Sequence, residues 1–327
     1  MQGAIGRYGT EHTMKRIGIY LAITFAITYA LEILVVIPLA TGTGMGSALA
    51  APPVAVQFII GSMMFIPAIG VLLTRLITKE GFKNAMIKPV DFRHTFKYYL
   101  IAWFGPAVLT VVGAALYFLV FPNDFDPTMS AAALMIQQAA GASGGETIPG
   151  DVMQTMLWAQ LAVGVVLSPI LNCLTCFGEE WGWRGYLVPK VHEKLSFIPT
   201  VLITGVIWGL WHAPLTVIGH NYGVGYPGWP FLGIFAMCIF CIVIGTLFSY
   251  LSLKAKSCLP AVIGHGAVNG FVSAAALFSI SGGNPFIGPM PIGIIGGIGF
   301  IAAAVVCCAA MRKEERRKPA EPTASNA

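Results

Sequence analysis

Long apolar runs alternate with short polar breaks along this chain, and the runs recur near the ~20 residues that a helix needs to cross a bilayer. Eight are present, at 17–40, 54–78, 98–121, 154–178, 197–218, 229–252, 259–279 and 286–310. Each predicts a membrane-spanning helix, so the pattern predicts an all-α, polytopic membrane protein with about eight transmembrane helices. Composition agrees: 56% of residues are hydrophobic and 10% charged, with mean hydropathy +0.77, whereas a soluble domain carries ~25% charged residues.

Charge then orients the spans. Lys and Arg collect on cytoplasmic connections. The N-terminal segment holds Arg7, Lys15 and Arg16; the second connection holds Arg75, Lys79, Lys83, Lys88, Arg93 and Lys97. The fourth holds Arg184, Lys190 and Lys194, the sixth Lys254 and Lys256, and the C-terminal segment Arg312, Lys313, Arg316, Arg317 and Lys318. The intervening connections hold none, although the third carries Asp124, Asp126, Glu146 and Asp151. All 19 basic residues thus fall on alternate connections, which requires an even number of spans and both termini in the cytoplasm. The net charge of +5 therefore reports orientation and gives no support to a nucleic-acid partner; membrane lipids are the expected surroundings.

The first run, followed by "SALAAPP" at 47–53, has the outline of a signal peptide. It is longer than the ~7 to 15 residues of a signal h-region and is expected to stay as an uncleaved span. The segment 312–327 is polar and aperiodic and is expected to be a disordered cytoplasmic tail. Four regions are expected: N-terminal helices and loops over 1–153, a core of helices over 154–280, a last transmembrane helix over 281–311, and that tail. Two C-x-x-C pairs, Cys173/Cys176 and Cys238/Cys241, lie in apolar runs, where Cys packs as a small hydrophobe.

An ionisable side chain at membrane depth points to function, because it persists only when paired or facing water; a lone charge there costs at least ~2.5 kcal/mol. Apart from Glu32 in the first span, such residues cluster: Glu179, Glu180 and Arg184 ending the fourth, His212 in the fifth, His265 with Asn269 in the seventh. Glu180 and Arg184 are four apart on one helical face, the better order for a pair, while Glu179 is turned about 100° away. Trp208 and His212 share a face, as do His265 and Asn269. A carboxylate, two imidazoles and a carboxamide can hydrolyse an amide, with Glu or His taking a proton from water and neutral donors holding the oxyanion. Glu and His also bind zinc, which keeps a divalent metal as the alternative, but the H-E-x-x-H pattern is absent.

"EEWGWR" (179–184), "WGLWH" (208–212) and "HGAVN" (265–269) resemble, in order, the E-E-x-x-x-R, aromatic-x-x-x-His and H-x-x-x-N signature of the type II CAAX prenyl endopeptidases, the CPBP or Abi family of intramembrane proteases. That signature usually has Phe where this chain has Trp208. The resemblance covers about 160–278 and implies a hydrolase of a bacterial or archaeal plasma membrane. It implies Glu179 and His212 as the groups that activate water and His265 with Asn269 as the oxyanion hole. Glu180, Arg184 and Trp208 would support them, with no cofactor required. It further implies a peptide or lipidated protein as substrate.

A transporter would also carry Glu, Arg and His at depth, but the clustering in the second half has no first-half copy. A catalytically inactive immunity or scaffold member of the same family is a further alternative. Helical rise puts His212 about 22 Å past Phe197 and His265 about 8 Å past Pro260, so the fifth span is expected to start nearer Glu193 or to bend. The fourth helix is expected to run on to about Val188 and the cavity to open to the cytoplasm. Gly266 with Gly270, and Gly293 with Gly297, have the spacing of close helix contacts. Trp181, Trp183, Trp211 and Trp229 suit packing or the interface, and His12, His94, His192 and His220 are expected in solvent.

Overall fold

Proline and glycine decide where this apolar chain stops being helical. The computed structural model describes residues 2–43, 53–142 and 144–317; residues 47–52 of the cleavage-like stretch and 318–327 of the expected tail lie outside them. Among the described residues there is no strand, only isolated bridges between Phe125 and Ser279 and between Asn284 and Gly288. The protein is an all-α, multi-pass integral membrane protein. Five helical stretches are long and apolar enough to cross a bilayer: His12–Thr41, Val56–Ile77, Phe92–Val120, Phe231–Ala255 and Leu259–Phe278.

The first comprises α1 (Gln2–Leu31), a π turn over Glu32–Val36 and α2 (Ile37–Thr41), which ends on Gly42 in the left-handed region at φ 66°. The second is kinked between α3 (Pro53–Met63) and α4 (Ile66–Ile77), because Pro67 has no N–H to continue the ladder. The third is α5 (Phe92–Val120). In the connection after it, Asp126 accepts from the backbone N–H groups of Thr128 and Ala131 and the hydroxyls of Thr128 and Ser130. These bonds anchor the start of α6 (Ser130–Ala142), a helix the apolar pattern did not predict.

The fourth expected span is a chain of pieces: α7 (Gly150–Val166), α8 (Ser168–Leu171), α9 (Cys173–Gly182), a π turn over Trp183–Leu187 and α10 (Val188–His192). It runs on past Val188, the expected end, to His192. Pro169 accounts for the first break. The fifth is α11 (Phe197–Trp211) followed by α12 (Ala213–Val217). It starts at Phe197 and bends at His212, where Pro214 cannot bond the carbonyl of Leu210; the Tyr29 hydroxyl donates to that oxygen at 2.6 Å instead. The sixth and seventh are α13 (Phe231–Ala255) and α14 (Leu259–Phe271), the latter continued by a 3₁₀ turn over Ala274–Phe278.

The eighth span needs correction. Its helix, α15, covers Ile298–Arg317, not 286–310. Residues 282–297 hold six glycines and three prolines, and they form turns packed against α5 despite their apolar character. At Gly113 on α5 an added Cβ would lie 1.8 Å from the Gly296 carbonyl oxygen. Gly293 and Gly297 therefore serve turn packing, not a helix pair. Arg312 to Arg317, expected in an irregular tail, are the last turns of α15.

Three tight crossings set the frame of the core. Gly178 and Gly182 on α9 lie on the α3–α4 kink, where a Cβ would come within 2.5 Å of the Met64 oxygen and 2.4 Å of Pro67. Gly205 and Gly209 on α11 lie on Ile242 and Cys238 of α13, and Gly266 and Gly270 on α14 lie on Pro169 and Ser168. Small residues four apart let backbones approach closely where lipid offers no hydrophobic drive between helices. Seven cysteines remain free thiols, five of them buried in packing positions.

Candidate active site

Each of these crossings stands beside a polar motif: Gly178 precedes Glu179, Gly209 lies one turn before His212, and Gly266 follows His265. The close packing brings the three motifs together. Glu179, Glu180, Arg184, His212 and His265 are all buried, with Glu180 wholly so, while Asn269 is exposed to the hollow between the helices.

Oε1 of Glu180 accepts from Arg184 Nη1 and from His265 Nδ1, each at 2.9 Å. The expected i,i+4 pair is therefore present, and it extends to α14. The Arg184 guanidinium lies over the Trp208 ring with 4.0 Å to the centroid. Gly245 on α13 makes room for it, since a Cβ there would sit 2.8 Å from Nη2. Glu179 is held as well: its Oε2 accepts from Trp208 Nε1 at 2.9 Å and Trp183 Nε1 at 3.3 Å, which leaves Oε1 as its remaining acceptor.

Hydrogen-bond roles fix the rings. His212 Nδ1 lies 2.9 Å from the Trp208 carbonyl oxygen, which can only accept, so Nδ1 carries the hydrogen and Nε2 keeps a lone pair. His265 donates from Nδ1 to a carboxylate, so it too presents Nε2. Asn269 Nδ2 makes only a long contact, 3.7 Å, to Cys176 Sγ.

Glu179, His212, His265 and Asn269 line one hollow of about 110 Å³, enough for several waters at ~30 Å³ each. Its wall also contains Glu32, Met63, Met64 and His220. Glu32, which sequence left without a place, faces this space with neither oxygen hydrogen-bonded. His220, expected in solvent, is half-buried and stacks on His212 at 5.8 Å with planes 6° apart. Trp183, expected as packing, is a donor to Glu179. A single-sequence signal existed for none of these three except that Glu32 is ionisable at depth.

The hollow, expected to open to the cytoplasm, has a lining that extends toward the other end of the helices. An adjoining hollow that shares His212, His265 and Asn269 also reaches Asn221 and Ile292. His220, Asn221 and Ile292 belong to connections without Lys or Arg, so the polar rim lies toward the end opposite the basic one. Lys190 marks the basic end, eleven residues past Glu179, about 16 Å along a helix.

No group of three or more His, Cys, Asp or Glu side chains among the described residues is arranged to hold a metal ion. Both Nδ1 atoms are engaged and Glu179 Oε2 is taken by two indoles, while His212 Nε2 and Glu179 Oε1 stay without a protein partner among those residues.

Residues 155–271, which contain all three motifs, match the family Type II CAAX prenyl endopeptidase Rce1-like. This core is Rce1-like. The chain is 30% identical over 130 residues to CAAX prenyl protease 2 of Methanococcus maripaludis, covering 37% of this chain and 45% of that protein. The chain is also 31% identical over 126 residues to Lysostaphin resistance protein A of Staphylococcus haemolyticus, covering 38% of this chain and 31% of that protein. The chain thus spans less than half the length of either relative. The Rce1-like segment begins within α7 and ends with α14, so Glu32 lies outside it.

Proposed function

We propose that the protein is an intramembrane endopeptidase of a bacterial or archaeal plasma membrane, hydrolysing a peptide bond in a membrane-associated peptide or lipidated protein. The observation that carries this reading is the single hollow lined by Glu179, His212, His265 and Asn269. The Rce1-like match and the name of the archaeal relative support it.

Water in the hollow attacks the scissile carbonyl carbon. Glu179 Oε1 and His212 Nε2 are the acceptors for its proton, and each is oriented by bonds on its other atom. The tetrahedral oxyanion is held by Asn269 Nδ2, which gives up a weak sulfur contact, and by His265 Nε2. For His265 to donate there while Nδ1 donates to Glu180, the ring is an imidazolium. Two carboxylates, Glu179 and Glu180, then balance two cations, Arg184 and His265. Collapse breaks the C–N bond and returns the proton to the leaving amine. Trp208 and Trp183 position Glu179, while Glu180 and Arg184 position His265.

Purified protein in detergent, offered prenylated and unprenylated peptides and analysed by mass spectrometry, tests the reading. Wild type cleaves at a defined bond, while Glu179→Gln and His265→Ala lower kcat by ~100-fold or more, the usual size of an acid–base or oxyanion contribution. Cleavage of every substrate at the wild-type rate by both variants removes the assignment. Under this reading protein groups alone activate the water, so a strong chelator leaves the rate unchanged; abolition by chelator would move that role to a bound cation. The staphylococcal relative is named for a resistance phenotype, and the same variants separate catalysis from a non-catalytic role of that kind.

A further inference from the structure

A second polar cavity lies at the basic end of the helix that carries Glu179. It measures about 320 Å³ and is lined by Arg16 of α1, Arg75 of α4, Glu80 and Lys83 of the following connection, and Lys190 and Glu193 at the end of α10. Four cations face two carboxylates.

Glu80 is already saturated. One oxygen takes Lys190 and lies 4.0 Å from Arg75 Nη1; the other accepts from the Tyr186 hydroxyl at 2.9 Å and lies 3.7 Å from Arg16 Nε. A single carboxylate therefore answers three cations. Two of these, Arg75 and Lys190, are buried to under one-tenth exposure. Arg75 donates to the backbone oxygens of Gly81 and Asn84 at 2.5 and 3.3 Å and lies near the Phe82 and Tyr186 rings. Its Nε has no partner. Lys83 is exposed at the mouth. The cavity thus combines excess positive charge, an unanswered buried donor and room for a group of several heavy atoms.

We propose that this cavity binds a phosphate group. Phosphate offers several acceptor oxygens on one compact anion, which suits converging Arg and Lys donors, and its charge offsets the two unmatched cations. Basic pockets between helices at the cytoplasmic face hold lipid headgroups by this chemistry. A phosphorylated solute would present the same group. The wall includes Gly185 and Tyr186 of the π turn and Lys190, directly continuous with Arg184. A bound phosphate therefore ties the connection after α4 to the segment bearing Glu179, Glu180 and Arg184.

The test is thermal unfolding and binding of delipidated, detergent-purified full-length protein, independent of any cleavage assay. The additions are phosphatidylglycerol, diacylglycerol with the same tails, glycerol 1-phosphate and inorganic phosphate. The comparison protein carries Arg16→Gln and Lys83→Gln, two partly exposed positions outside the catalytic hollow. Phosphatidylglycerol is expected to raise the unfolding temperature, diacylglycerol not, and the double variant to bind about thirtyfold more weakly, given the usual contribution per basic residue. A shift by the two soluble phosphates as well, lost in the variant, supports a soluble source of the group. Equal shifts by phosphatidylglycerol and diacylglycerol, no shift by any phosphate, or equal binding by the double variant overturns the proposal.

Discussion

His265 and Arg184, on different helices, both donate to the same oxygen of Glu180 at 2.9 Å. Glu180 is thus the bolt between α14 and the π turn after α9. Glu180→Gln keeps its shape but removes the charge, leaving two buried cations without their anion. Removing one partner of a buried pair is worth ~3–5 kcal/mol, so unfolding in detergent should show a loss of that size together with loss of cleavage. Wild-type stability for this variant would mean the shared oxygen does not hold the helices.

Glu32 presents the opposite case. It is 1% exposed, and neither oxygen has a hydrogen-bond partner. A buried acid without a protein partner is unfavourable by up to ~1–3 kcal/mol on mutational scales, less whatever water in the hollow returns, so Glu32→Leu is expected to leave stability unchanged or raise it. A drop in stability measured by chemical denaturation would show that the carboxyl is engaged inside the hollow.

The rim of the hollow makes a topological prediction. In a background stripped of native cysteines, His220→Cys should react with a membrane-impermeant thiol reagent added from the side opposite to that which labels Lys83→Cys. Labelling of both from the same side would refute the opening described above.

Acid sensitivity should be visible at Glu80, which lies beyond the end of α4. Burial raises its carboxyl pKa, but the hydrogen bonds from Lys190 and Tyr186 and the charges of Lys190 and Arg75 outweigh it and hold the group below its ordinary value. A depressed native value stabilises the fold above the unfolded pKa of ~4.3 and loses that contribution as pH falls through the native value. The Glu80 contribution should be level from pH 7 to about 5 and decline below ~4.3. Asp124 and Asp126, also held low by hydrogen bonds, share that decline. Comparing the slope with that of Glu80→Gln therefore isolates Glu80: an identical slope would contradict the assignment.

Much of this was legible in the sequence, for identifiable reasons. Charge alternation and apolar runs marked the helices, and i,i+4 spacing marked the Glu180–Arg184 pair, because both are local. The span at 286–310 was misread because an apolar count is blind to six glycines and three prolines at 282–297, which turn the chain against α5. His220 and Glu32 were out of reach because their roles come from helices distant in sequence meeting at one hollow. Gly178/Gly182 and Gly205/Gly209 carried the small-xxx-small signal that places α9 and α11, and it could have been read beside the motifs.

Trp208 is more than an aromatic standing where the family signature has Phe. Trp208→Phe keeps the ring beneath Arg184 but deletes the shorter bond to Glu179, leaving Trp183 at 3.3 Å. A hydrogen bond to a charged group contributes ~1.5–3 kcal/mol. The expected result is a fall in kcat of roughly tenfold or more with little change in KM; unchanged kcat would show that the indole N–H does not position the carboxylate.

The same residue has a mechanical role. Its N–H, carbonyl and ring serve Glu179, His212 and Arg184, and its edge meets the His265 ring at 5.6 Å. Four groups on three helices therefore share one point of reference. A tilt of these helices as the bilayer thickens or thins would have to carry all four groups together, because the indole and Glu180 are shared between them.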